Sequence, residues 1–87
     1  MTMRGLMLEG ADILHRAQVP DAALDAEYCL SRATGIPRLA LHLTDRAPTA
    51  EEEAVYRTLL SRREKREPLQ YILGTQPFMG FDFVVSP

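Results

Sequence analysis

"PTAEEEAVYRTLLSRREKREP", residues 48–68, is the stretch that decides the fold, because it carries a complete helix signature from start to stop. Thr49 and Glu52 have the spacing of a capping box, in which the hydroxyl accepts from the third helical amide and the carboxylate accepts from the cap's own amide. Glu51, Glu52 and Glu53 fall in the first turn, where the helix dipole favours negative charge, and Arg62, Arg63, Lys65 and Arg66 load the opposite end with positive charge. Between them Val55, Tyr56, Leu59 and Leu60 make one apolar stripe. Pro68 is expected to end or bend the helix. A helix with a single apolar stripe needs other helices to cover it, so the fold expected is mainly α: a small bundle of four to five helices.

Upstream, Met3 to Ala17 reads as a first helix, with Leu6, Gly10, Ile13, Leu14 and Ala17 on one face. Gly5 and Gly10 each cost it about 1 kcal/mol against Ala, so it should depend on packing. In "VPDAALDAEYCLSRATG", residues 19–35, Pro20 breaks the first helix and Asp21 offers an N-cap. Ala22, Ala26, Cys29, Leu30 and Ala33 then share a face, Leu24 and Tyr28 pack along a flank, and Gly35 stops this second helix. Pro37 is expected in the first turn of a short third helix, in which Leu39 and Leu43 stand four apart.

Downstream, "LQYILG" reads as one or two helical turns closed by Gly74, after which the periodicity shifts from 3.6 to 2. Phe81, Phe83 and Val85 alternate with Asp82 and Val84, and Met79-Gly80 suits a turn. Thr75 to Phe78 and Phe81 to Val85 therefore read as two arms of a C-terminal β-hairpin or linker strand. A hairpin alone is marginal in water, and an aromatic strand edge invites association, so the chain looks unfinished at Pro87. The expected division is a helical domain over residues 1–74 and the start of a hairpin linker over residues 75–87.

The chemistry-bearing residues are sparse. The chain has 87 residues, a formal charge of −2 and a single cysteine. That excludes a globally basic nucleic-acid binder and an internal disulfide, and suits a reducing, cytoplasmic setting. No apolar run approaches the roughly 20 residues that cross a bilayer. His15 and His42 have no metal-ligand spacing, Ser31, Ser61 and Ser86 lack a nucleophile-elbow motif, and Cys29 lies on an apolar face. The five glycines are dispersed, so there is no phosphate-binding loop. Glu51 to Glu53 spread around the helix and read as helix-start charge. The cluster from Arg57 to Glu67 carries five positive and two negative charges. It is the one local patch with a partner-binding reading, assigned to Arg62, Arg63, Lys65 and Arg66, against the alternative of a solvated helix end.

"REPLQYILGTQPFMGFDFVVSP", residues 66–87, resembles the linker region of the bacterial release factor glutamine methyltransferases, the PrmC or HemK family. The matching residues are Glu67, Pro68, Leu69, Tyr71, Ile72, Leu73, Gly74, Phe78, Gly80, Phe83 and Val85. Leu24, Asp25, Ala26 and Glu27 carry a looser match to the family's second helix. Gln76-Pro77 departs from the family, and Pro77 removes a donor from its strand, which marks that arm as an edge.

The resemblance implies that this chain is the N-terminal recognition domain of a two-domain, cytoplasmic transferase. In the family, a downstream domain binds S-adenosylmethionine and methylates the glutamine of the Gly-Gly-Gln motif in class 1 peptide chain release factors. The implied role here is to bind and orient the release factor. No catalytic, cofactor-binding or metal residue falls within these 87 residues, so the fragment alone is expected to be inert and to bind no cofactor. The rival reading is a free-standing helical module that grips protein or nucleic acid through its basic helix end, with nucleic acid the less favoured. A third is a related methyltransferase acting on another substrate.

Overall fold

The computed structural model describes residues 2–74, and the hairpin expected over residues 75–87, with Phe78, Gly80, Phe83 and Val85, lies outside the described residues. Four α-helices and one 3₁₀ helix make up the described chain, with no strand among them. They are α1 (Met3–Arg16), α2 (Ala22–Thr34), a 3₁₀ helix (Arg38–Leu43), α3 (Ala50–Glu64) and α4 (Leu69–Leu73).

The ends of the helices follow from local chemistry. Thr2 caps α1 by accepting from the Gly5 amide at 2.9 Å. The capping box of α3 is complete, with Glu52 N to Thr49 Oγ1 and Thr49 N to Glu52 Oε1 both at 3.0 Å. Asp21 occupies the N-cap of α2, but its side chain makes no capping bond. Gly35 closes α2 in the left-handed conformation, at φ 78°. Pro68 does not end α3; the helix stops earlier, because Arg66 turns left-handed at φ 71°. The Arg66 amide then donates to the Arg63 carbonyl at 2.9 Å and the Glu67 amide to the Arg62 carbonyl at 3.2 Å, the paired bonds of a Schellman ending. α1 ends in the same way around Gln18, φ 65°, with Val19 N donating to Leu14 O at 3.0 Å and both side chains buried.

Long-range pairs give the topology. Leu6 meets Tyr56, Glu9 meets Arg57 and Ala17 meets Arg66, so α1 and α3 run parallel. Asp25 meets Arg63 near the end of α3, so α2 runs against both. The core lies between these three helices and is centred on Leu6, Leu14, Ala26, Cys29, Leu30, Tyr56 and Leu59, all fully buried. Val55, Tyr56, Leu59 and Leu60 form the buried stripe of α3 as the sequence predicts. On α1, Ile13 and Ala17 are only half-buried, and Met3 and Met7 complete the buried face instead.

Gly10 has a packing role. A Cβ there would stand 2.0 Å from Tyr56 Oη and 3.2 Å from Ala26 Cβ, so the missing side chain is what lets three helices meet.

The segment between α2 and α3 departs from expectation. Pro37 precedes the 3₁₀ helix instead of opening it, and Leu39 and Leu43 are 73% and 84% exposed. Leu41 is the buried residue, because a 3₁₀ helix repeats every three residues and the i, i+4 pair loses its meaning.

Candidate functional site

The motif Glu67–Gly74 begins in a four-residue connection, Lys65–Pro68, between α3 and α4. α4 has five residues, too few for an independently stable helix, so its place depends on what holds it. Ile72 is its fully buried anchor, and Leu69 packs at the edge of the core. Tyr71 is 61% exposed on the outer side, Leu73 is half-buried, and Gly74 closes α4 in a right-handed conformation, with its amide on the Gln70 carbonyl at 3.1 Å.

Around this connection the basic residues take separate roles. Arg62 forks onto Glu67, with Nε on Oε1 at 2.9 Å and Nη2 on Oε2. The hydrogen bond from Arg62 holds the Glu67 carboxyl below the usual glutamate range, and Glu67 raises Arg62 in return. Arg63 bridges two elements: its Nε donates to Asp25 Oδ2 and its Nη1 to the Glu67 carbonyl, both at 2.9 Å. Asp25 is the one buried charged side chain among the described residues. Arg66 donates from Nη2 to the Ala17 carbonyl at 2.9 Å, placing a cation on the carbonyl end of α1. Lys65 caps α3, is exposed, and has no ion pair among the described residues.

The four basic residues singled out from sequence therefore share one end of α3 but face differently. Lys65 and Arg66 are exposed, while Arg62 and Arg63 lie half-buried with their guanidinium groups turned toward Glu67 and Asp25. Asp25 is the member of this cluster that reading for partner sites left out. Its signal is a carboxylate set among Ala22, Ala26 and Cys29 on an apolar helix face, which demands a buried cation.

Elsewhere, Glu27 of α2 accepts from Arg38 at 2.9 Å and faces His42 Nε2 at 3.2 Å, which ties the 3₁₀ helix down while the Arg38 guanidinium lies 5.0 Å from the Tyr28 ring centre. A shallow groove beside it is lined by Met7, Leu8, Ala11, Ala23 and His42. Cys29 is fully buried, and desolvation pushes its thiol up to about 12, so it carries no thiolate at neutral pH. Among the described residues no cluster of His, Cys, Asp and Glu has the arrangement of a metal site, and no helix is long and apolar enough to cross a membrane.

Comparison with known proteins places this geometry. Residues 6–74 match the family model of the PrmC N-terminal domain. A release factor glutamine methyltransferase of Geobacter sulfurreducens is 53% identical over 70 residues, which is 79% of this chain and 25% of that protein. Proteins of the same description from Nitratidesulfovibrio vulgaris and Koribacter versatilis are 36% and 38% identical, over 99% and 100% of this chain and 30% and 31% of their own lengths. The chain thus spans less than a third of the curated relatives it matches. No solved structure matches it.

Proposed function

Since the chain belongs to the PrmC N-terminal domain family, we propose that it is the recognition domain of a protein-glutamine methyltransferase that acts on translation release factors. The carrying observation is that the matched span, residues 6–74, covers the packed bundle from Leu6 of α1 through α4. In this reading residues 1–74 bind and orient the substrate, and residues 75–87 begin a hairpin linker to a catalytic domain. That domain would hold S-adenosylmethionine and transfer its methyl group to the glutamine of the Gly-Gly-Gln motif in class 1 release factors, in the cytoplasm. The bundle contributes position: holding two reactants in register lowers a barrier by several kcal/mol without touching the reacting atoms.

The partner face proposed is the exposed pair Lys65 and Arg66 at the basic end of α3, while Arg62 and Arg63 turn inward onto Glu67 and Asp25. The test uses the full-length protein and a purified release factor. Wild type is expected to transfer a labelled methyl group to the release factor, and the 87-residue chain is expected to bind that factor without transfer. Lys65→Glu with Arg66→Glu should weaken binding about tenfold at low salt. Unchanged affinity would remove the basic face, and absence of transfer by the full-length protein would remove the enzyme reading.

A further inference from the structure

The connection between α3 and α4 is held from three helices at once. Arg66 reaches the Ala17 carbonyl of α1, Arg62 of α3 forks onto the Glu67 carboxylate, and Arg63 joins the Glu67 carbonyl to Asp25 of α2. The backbone of the turn is set as well, since Arg66 sits left-handed within a Schellman ending. Stability alone does not call for this arrangement: a buried ion pair can be replaced by apolar residues of similar volume with little loss, because desolvation offsets the attraction. What charged hydrogen bonds supply and apolar contacts do not is direction.

We infer that the chain Asp25–Arg63–Glu67–Arg62 is a positioning device that sets the direction in which the polypeptide leaves the bundle at Gly74, and with it the orientation of the domain that follows. Asp25, Arg63 and Glu67 are positioning residues; they act through α4 and touch no substrate. This inference rests on the reading of the chain as the recognition domain of a larger methyltransferase. With the strut intact, the angle between recognition and catalytic domains is narrow, so a release factor gripped by one presents its glutamine to the other. With the strut removed the domains sample many angles, and a whole-protein substrate is met in the right register only part of the time.

The experiment uses the full-length protein carrying Asp25→Leu with Arg63→Met, which replaces the pair by apolar side chains and keeps the core filled. Spin labels at Ala54→Cys, an exposed position of α3, and at a surface cysteine of the downstream domain report the distance between domains; buried Cys29 stays unlabelled. The expected result is a broadened distance distribution. Alongside it, KM for the release factor should rise about tenfold while turnover of a short Gly-Gly-Gln peptide stays within about twofold of wild type. A folded variant with an unchanged distance distribution overturns the inference. Glu67→Gln, which spares the buried pair, gives the same readout if the double variant fails to fold, and an unchanged distribution there overturns it equally. If the wild-type protein methylates no release factor, the functional reading falls, while the distance measurement still decides whether the strut exists.

Discussion

The Tyr56 hydroxyl donates to the Leu6 carbonyl at 2.7 Å, joining two parallel helices across 50 positions of sequence at a fully buried point. In an α-helix the same carbonyl also accepts from the amide four residues on, that of Gly10, so one oxygen serves both helices. The phenol reaches it only because Gly10 has no side chain. Burial raises the Tyr56 pKa, so the group stays a donor throughout the accessible pH range.

Gly10→Ala should therefore destabilise the chain by about 2 kcal/mol or more, although Ala is the better helix former by about 1 kcal/mol. Tyr56→Phe should cost only about 1 kcal/mol, since the Leu6 carbonyl keeps its helical partner. The two are coupled: without the hydroxyl the added methyl meets one atom fewer, and Gly10→Ala should be milder in the Tyr56→Phe background. Urea unfolding of the four chains measures the coupling; strict additivity would show that the hydroxyl does not set the spacing.

Gln18 and Arg66 both stand left-handed at helix ends where glycine is the usual occupant. Gln18→Gly relieves that strain and loses no side-chain hydrogen bond among the described residues, so it should stabilise by about 0.5 to 1 kcal/mol. Arg66→Gly relieves the same strain but loses the bond to the Ala17 carbonyl, and the two effects should nearly cancel. Gly35→Ala has open space around it and should cost about 1 kcal/mol from backbone conformation alone. Thermal unfolding of the three variants should give this order.

Glu52 accepts from both Arg46 Nη1 and Nη2, at 2.8 and 2.9 Å, as well as from the Thr49 amide. These bonds, Arg46 first, lower its pKa below the usual glutamate range. A carboxyl whose folded pKa is depressed stabilises the fold above its unfolded pKa and loses that contribution as pH falls through the folded one. Glu67 has the same sign through Arg62. The contribution of these two carboxylates should thus be fully present near neutrality and decline below about pH 5, and Glu52→Gln should flatten part of that decline. If unfolding midpoints of the two chains fell in parallel with acid, Glu52 would have no share in it.

Cys29 tests the tightness of the core by a chemical route. A fully buried thiol with its pKa pushed up to about 12 should react with a disulfide reagent at pH 8 only through unfolding. Its labelling rate in rising urea should track the unfolded fraction, and rapid labelling of the native chain would show that the helices open locally around it.

What could be read from sequence alone divides by range. α3 was legible from cap to stripe because the Thr49–Glu52 box and the Val55–Leu60 spacing are local signals. The endings of α1 and α3 were not, since a left-handed Gln18 or Arg66 carries no compositional mark and only the tertiary fold makes it worthwhile. The basic end of α3 was visible as charge, but charge does not say that Arg63 turns inward: that depends on Asp25, 38 positions away. An acidic residue on an apolar face was a clue to a buried pair, without naming its partner.

The 3₁₀ helix shows the cost of assuming one period, and it makes the sharpest prediction. With i, i+4 spacing, Leu39 and Leu43 would share an inward face. With three residues per turn, Arg38 and Leu41 share it instead, and both turn toward the bundle: Arg38 onto Glu27 and Leu41 into the core. Leu41→Ala should therefore cost about 2 to 4 kcal/mol, as other buried leucine truncations do. Leu39→Ser and Leu43→Ser should each change stability by less than about 0.5 kcal/mol. Equilibrium unfolding of the three variants separates the two helical periods, because an α-helical segment would place the larger losses at Leu39 and Leu43.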